Sequence, residues 1–338
     1  MTLSTKIIIA VSARALFDFE AENQVFREDD PSAYCALQAA RLDIPAGPGV
    51  AFPLVRKLLA LNGNEHTNVE VAILSRNDPV TGLRVFMSAR HHELAISRAI
   101  FTGGAKPHRY LEPLEASLFL STHAPDVKEA MSAGFPAARI YPTSGTVTSA
   151  DDGELRIAFD GDSVLFSDEA ERVFKQRQLQ EFNDHEMRHA HSPLPPGPLK
   201  PFLAALCALQ GRCKSQVKVR TALVTARSAP AHERAIRTLM AWGVTVDEAM
   251  FLGGKNKSGF LAEFRPDIFF DDHVRNCESA SQLVATGHVP YGINNESGLI
   301  LHQTYEFIDE SRTRKSLGGD LFDHLSDADT PVLQGKPT

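Results

Sequence analysis

The sequence predicts an α/β protein of two doubly wound halves with mostly parallel sheets, related by an internal duplication, with a small helical cap inserted in the second half. Three observations lead to this. Apolar runs of strand length alternate with segments of helical period along the whole chain. Parts of the sequence recur at a spacing of about 150 residues. In the second half, three apolar runs stop at polar residues, and the carboxyl ends of parallel strands are where open sheets carry their sites.

Taken in order, the run Ile7-Ile-Ile-Ala-Val11 reads as a first strand. It is too short to cross a membrane and lacks the small-residue cleavage pattern of a signal peptide. Residues 69–74 and 116–120 are further strands, and 126–134 is a helix closed by Gly134. Residues 142–153 are polar and rich in turn formers, which places a domain boundary there. The expected organisation is therefore 1–150, 151–315 and a tail at 316–338, loose from residue 326 onward.

The second half opens with Leu155-Arg-Ile-Ala-Phe-Asp160-Gly-Asp162, a buried-strand pattern ending in two acids. Residues 168–196 are charged and helical in pattern. They lie between the first two strands of this half, where a cap at about 168–200 would cover the strand ends. Ser192-Pro-Leu-Pro-Pro-Gly-Pro198 breaks that helix, Leu199, Phe202, Leu203 and Leu206 begin another, and residues 231–243 form a third that stops at Gly243. Strand patterns at 221–225 and 267–271 end at Thr225 and at Asp271-Asp272.

The recurrence aligns Ser12 with Asp160, Arg14 with Asp162, and Pro45-Ala-Gly-Pro48 with Pro195-Pro-Gly-Pro198. It also aligns Ser75 with Thr225, Phe101-Thr-Gly-Gly104 with Phe251-Leu-Gly-Gly254, and Ser121-Thr122 with Asp271-Asp272. Hydroxyls and an arginine cannot replace anionic oxygens around a divalent cation. The amino-terminal half is thus expected to be a metal-free copy that serves packing, subunit contact or ligand sensing through Arg14 and Lys106.

In an extended strand tip, Asp160 and Asp162 point the same way. Like charges so close are costly unless a proton or cation lies between them. Mg²⁺ suits such a site because it takes one or two carboxylates and keeps phosphate and water as its other ligands. The loop Phe251-Leu-Gly-Gly-Lys-Asn-Lys257 offers two lysines, Lys255 and Lys257.

The order Asp-x-Asp, Thr, Lys, Asp-Asp resembles the four-motif pattern of the haloacid dehalogenase-like (HAD-like) phosphohydrolases, whose core is Rossmann-like. Phe159-Asp-Gly-Asp-Ser-Val-Leu-Phe-Ser-Asp-Glu169, Gly197-Pro-Leu-Lys200, Leu223-Val-Thr-Ala-Arg-Ser228 and Arg265-Pro-Asp-Ile-Phe-Phe-Asp-Asp272 resemble the cytosolic 5′-nucleotidase I family. So do residues 10–17 and Thr102-Gly-Gly104. The resemblance implies Mg²⁺-dependent hydrolysis of nucleoside 5′-monophosphates, AMP among them, through an aspartyl-phosphate. It implies Asp160 as nucleophile and Asp162 as acid and base. Metal would be held by Asp160, Asp162 through its backbone carbonyl, and Asp271 or Asp272. Phosphate would be held by Thr225, the amide of Ala226, and Lys257 in preference to Lys255. Lys200 and Arg227 are weaker expectations for substrate contact, with a structural salt bridge as the alternative for each. Phe174 or Phe182 would stack on a base or pack in the core. Asp168 and Glu169 read as surface or hinge residues. Two other readings stay open: a phosphatase or phosphotransferase acting on another small phosphate ester, and a nucleotide-binding regulator.

His185-Glu-Met-Arg-His189 matches the H-E-x-x-H zinc motif. Its surroundings are polar on all sides and a proline-rich break follows closely, so cap-surface or substrate-lining histidines are expected instead. The chain has 338 residues, 43% hydrophobic and 23% charged, which describes an ordinary globular protein of about two domains. A net charge of −7 argues against nucleic acid or an anionic membrane as the main partner. Cys35, Cys207, Cys213 and Cys277 show no Cys-x-x-Cys pair and read as reduced thiols, which makes the cytoplasm the expected location. A homo-oligomer is compatible with all of this.

Overall fold

The computed structural model describes residues 6–27, 31–62, 68–142, 153–210 and 217–296. Ten strands are formed: β1 (Ile7–Val11), β2 (Val69–Ser75), β3 (Arg98–Phe101), β4 (Leu118–Ser121), β5 (Ala137–Ile140), β6 (Glu154–Phe159), β7 (Lys218–Thr225), β8 (Glu248–Phe251), β9 (Ile268–Asp271) and β10 (Thr286–His288). They make one sheet in the order β3-β2-β1-β4-β5-β10-β9-β6-β7-β8. Every pairing is parallel except β5 with β10, where Ile140 faces Gly287 and Arg139 faces His288. Each half therefore runs in the same order, and the two meet at their fifth strands.

The sequence reading places a sheet in each half. The structure merges them, for a reason of edges. β5 and β10 are the last strands of their halves, and alone each would leave a row of unpaired backbone groups. Pairing them removes both edges. β3 and β8 close the two ends of the combined sheet.

The central strands are buried on both faces, as their near-continuous Ile, Val, Leu, Phe and Ala content requires. Alternation sorts their side chains. Ile7, Ile9 and Val11 join a core that continues through Ile157, Phe159 and Phe270 of the other half, while Ala10 faces a smaller cluster with Ala72 and Phe119. A buried ion pair also crosses between the halves. Lys57, on the helix Phe52–Ala60, lies 2.9 Å from Asp267 and donates to the Glu154 carbonyl at 2.7 Å.

The expected helices appear as Ala124–Ser132 and His232–Ala241, followed by Gly134 and Gly243 at positive φ. The charged segment after Asp162 becomes the helix Glu169–Arg188, and the proline-rich break separates it from the helix Lys200–Gln210. The boundary expected at 142–153 falls almost wholly outside the described residues, and the tail falls wholly outside them. Among the described residues, no helix is long and apolar enough to cross a membrane.

Candidate active site

β6 lies between β7 and β9 and pairs in parallel with both. The chain leaves β6 toward β7 on one side and returns to β9 on the other. A crevice opens at such a switch in strand order, at the carboxyl ends. Asp160 follows β6, Thr225 ends β7, Asp271 ends β9 and Asp272 comes next. The loop after β8 brings in Lys257.

Carboxylate oxygens of Asp160, Asp271 and Asp272 all lie within 4.8 Å of one another. All three residues are buried. The Lys257 ammonium sits among them, 2.7 Å from Asp160 and 2.6 Å from Asp271. Burial pushes the Asp160 carboxyl up to about 8, with repulsion from Asp271 adding to it and Lys257 opposing it. Burial, followed by repulsion from Asp160, Asp271 and Glu171, also holds Asp272 well above the usual carboxylate range. Burial works against the Lys257 cation, but the two acids outweigh it and the ammonium is held above its ordinary value. With all three acids ionised, the site would carry more negative charge than one lysine can neutralise.

Such a donor set fits a hard divalent cation: it is all carboxylate oxygen and it is held close. The Asp162 carboxylate stands apart from this group and pairs with Arg227 instead.

A second set of polar side chains fixes the first. Asp271 accepts from the His273 amide at 2.8 Å and from Asn276 at 3.1 Å. Asp272 accepts from Asn294 at 3.1 Å, and its carbonyl accepts from Asn295 at 3.0 Å and bonds the His288 ring at 3.0 Å. Asn294 also bonds Glu171, which accepts from Ser163 at 2.9 Å. Ser163 is fully buried at φ 63°, an uncommon conformation for a residue with a side chain. A Cβ on Gly292 would stand 2.5 Å from the Ser163 hydroxyl, so only glycine lets the 291–294 turn close on this point. Sequence reasoning did not find Ser163, Glu171, Asn276, Asn294 or His288 as site residues. Glu171 carries one signal, an acid at the matching position in each half (Glu22), while Asn294 carries none.

The remaining expected residues sort themselves by contact. Of the two lysines, Lys257 is buried at the acids and Lys255 is exposed. Thr225 is buried and its hydroxyl oxygen accepts from the Arg227 amide at 3.2 Å, which leaves the hydroxyl proton to donate. Ala226 is exposed beside it. Arg227 is buried and faces Asp162 and Glu186. Lys200 sets its ammonium over the Trp242 ring, 5.5 Å from the centroid. Asp168 is not at the surface: it is buried and accepts from the Ile293 amide at 2.9 Å, tying the start of the helix Glu169–Arg188 to the 291–294 turn. Phe182 is buried and Phe174 is 45% exposed, with ring centroids 5.9 Å apart.

Among the described residues, His185 and His189 belong to no group that could hold a metal. Glu186 is buried between Arg227 and Arg234. His189 spends one ring nitrogen on the His185 carbonyl at 2.8 Å. Among the described residues, the acids at Asp160, Asp271 and Asp272 are the group placed to hold a metal.

The matching strand ends of the first half carry no such acids. Ser121 accepts from the His123 amide at 3.1 Å, the bond Asp271 makes to His273. Arg14 pairs with Glu20, Arg76 with Asp126, and Lys106 with Glu129.

Fold and site together define an α/β protein with a buried acid–lysine centre at the carboxyl ends of parallel strands. A family model described as 5′-nucleotidase matches residues 1–296, and the chain belongs to that family. Cytosolic 5′-nucleotidase 1B of Homo sapiens is 34% identical over 303 residues, which cover 86% of this chain and 49% of that protein. The chain thus spans about half the length of this curated relative. No solved structure matches it.

Proposed function

We propose that the protein is a Mg²⁺-dependent 5′-nucleotidase that hydrolyses nucleoside 5′-monophosphates, AMP among them, through an aspartyl-phosphate. The observation that carries this is the convergence of three buried carboxylates at one sheet crevice, two of them paired with Lys257, in a chain of the 5′-nucleotidase family. Asp160 is the nucleophile: its oxygen bonds phosphorus as the P–O5′ bond breaks. Asp162 protonates the departing 5′-oxygen and then takes a proton from the water that hydrolyses the acyl phosphate. Lys257, Thr225 and the Ala226 amide bind phosphoryl oxygens. Asp160, Asp271, Asp272 and the Asp162 carbonyl would hold Mg²⁺. When bound, that ion supplies the charge that keeps Asp160 ionised and offsets the phosphate dianion.

The like order of strands in the two halves, and the recurrence in sequence, support an internal duplication in which the first half has become a metal-free scaffold. The helix Glu169–Arg188, inserted between β6 and β7, is the cap. The free thiols of Cys207 and Cys277, and a human relative named as cytosolic, support a cytoplasmic location.

A phosphate-release panel over nucleoside monophosphates and sugar phosphates, with and without Mg²⁺, tests the reading. Release from the nucleotides that depends on Mg²⁺ is expected; equal release from sugar phosphates points to a general phosphatase, and none at all to a binding protein. His185→Ala is expected to keep nucleotide hydrolysis and to purify without zinc, as elemental analysis will report.

Metal binding should depend on pH with a definite sign. Asp160 keeps its proton up to about pH 8, so a cation binding below that must displace the proton. The rise in melting temperature produced by Mg²⁺ is therefore expected to grow from about pH 6 to about pH 9. An equal rise at both ends contradicts the assignment of Asp160 to the ion.

A further inference from the structure

We propose that Glu186 is a positioning residue for the reaction. Acting through Arg227, it fixes the carboxylate of Asp162 and so makes proton transfer depend on how the cap helix is seated. This rests on the nucleotidase reading above, in which Asp162 protonates the leaving oxygen.

Asp162 sits in an irregular turn, Gly161–Leu165, with 21% of its side chain exposed. Arg227 grips it with two parallel bonds, Nε–H to Oδ2 at 2.8 Å and Nη2–H to Oδ1 at 2.7 Å. A bidentate fork fixes direction as well as charge. The guanidinium is fixed in turn from behind. Its Nη1 donates to Glu186 and to the Ala231 carbonyl at 3.2 Å, and its plane lies near the rings of Phe166 and Phe182. The Arg227 and Glu186 side chains are 1% and 0% exposed. Glu186 then accepts from Arg234 at 2.9 Å through its other oxygen. An unbroken charged chain runs from the cap helix to Asp162.

The first half provides an internal control. Arg84 occupies the place of Arg234 there. It donates Nε–H to the Ile44 carbonyl at 3.1 Å, as Arg234 does to Ser192 at 2.9 Å, and Nη1–H to Gln38 at 3.1 Å. Gln38 stands where Glu186 stands, Asn77 where Arg227 stands, and Arg14 where Asp162 stands. Arg84 also donates to the buried Glu22, as Arg234 does to Glu169, so each arginine keeps a carboxylate besides this partner. What the first half lacks is the link onward: neutral Gln38 and Asn77 stand where Glu186 and Arg227 stand, and Arg14 replaces the acid to be positioned.

The test exploits that difference with Glu186→Gln, which preserves the acceptor for Arg234. The substrates are AMP and its analogue with sulfur at the bridging 5′ position. With AMP the P–O5′ electron pair leaves on an alkoxide that must be protonated. With the analogue the P–S bond breaks and the thiolate departs without a proton, since a free thiol has a pKa of only about 8.5. Single-turnover release of the nucleoside or thionucleoside reads the first step alone. Glu186→Gln is expected to slow release from AMP by roughly 10–100-fold and to leave the thio analogue within about twofold. Mg²⁺ affinity is expected to match the wild type, while the melting temperature falls because a buried anion between two arginines is lost, a change that by itself does not distinguish the two substrates. Arg227→Lys, which keeps a cation but loses the fork, should show the same selectivity and covers the case in which Glu186→Gln folds poorly. An equal fall on both substrates, or no fall on either, overturns the proposal. Asp162→Asn separates this from failure of the underlying reading: if that variant cleaves AMP at the wild-type rate, the acid assignment itself is lost.

Discussion

Replacing Asp160 with asparagine is expected to lower Mg²⁺-dependent phosphate release from AMP by about 10⁴–10⁶-fold, the scale on which loss of a covalent nucleophile is felt. The substitution keeps shape and volume, so the loss would be chemical. The introduced amide oxygen still accepts the bond that Asp160 takes from the Gly161 amide at 2.6 Å, and the backbone bond from the residue-160 amide to the Phe270 carbonyl at 2.8 Å is untouched. The melting temperature without metal reflects two opposed changes: one of three crowded carboxylates no longer ionises, which favours the variant above about pH 8, while the new amide nitrogen cannot accept from Lys257 as Asp160 Oδ2 does at 2.7 Å. Release at the wild-type rate from Asp160→Asn would remove the nucleophile from the mechanism, whatever became of the metal.

Lys257→Met carries the second large effect, on stability as well as on rate. Lys257 is the cation within bonding distance of both Asp160 and Asp271 in a buried site. Removing one partner of a buried ionic group costs about 3–5 kcal/mol because the rest is left uncompensated. With an unfolding entropy of about 2.1 cal/mol/K per residue, a chain of about 300 residues shifts by roughly 1.5 °C per kcal/mol, so the metal-free variant should melt roughly 4–8 °C lower near pH 8. The sign with pH follows from linkage. The buried carboxyls of Asp160 and Asp272 have folded pKa values raised above their unfolded ones, so the folded state holds more protons and stability falls as pH rises between the two. The deficit should therefore shrink toward about pH 5, where the acids take up protons. Mg²⁺ should restore more of the melting temperature to the variant than it adds to the wild type. A variant as stable as wild type at every pH, without metal, would show that Lys257 does not balance the cluster.

The fold was legible wherever a strand shows an unbroken apolar run. β1, β2, β4, β6, β7 and β9 stand out in sequence, β4 and β9 through Leu118-Phe-Leu120 and Ile268-Phe-Phe270 although each has four residues. β3, β5, β8 and β10 are as short, and Arg98, Arg139, Glu248 and Gly287 leave them no such run. Missing β5 and β10 is what hid the joining of the two halves into one sheet. The acids and Thr225 were legible because each ends a visible strand, and Lys257 because it follows a glycine pair. The partners of these groups were not. Asn294 lies 22 positions from Asp272 and Glu171 lies 123 from Asn294, and nothing local marks either for the contact it makes.

By itself, the sequence determined which residue types reach the ends of which strands, since that depends on local alternation and on where each apolar run stops. The tertiary structure alone decided which of those ends face one another, that Lys257 and not Lys255 enters the acid cluster, and that Arg227 is committed to Asp162 and Glu186. Those outcomes depend on packing between segments far apart in the chain, where burial removes water as the competing partner and leaves each charge only the neighbours the fold supplies.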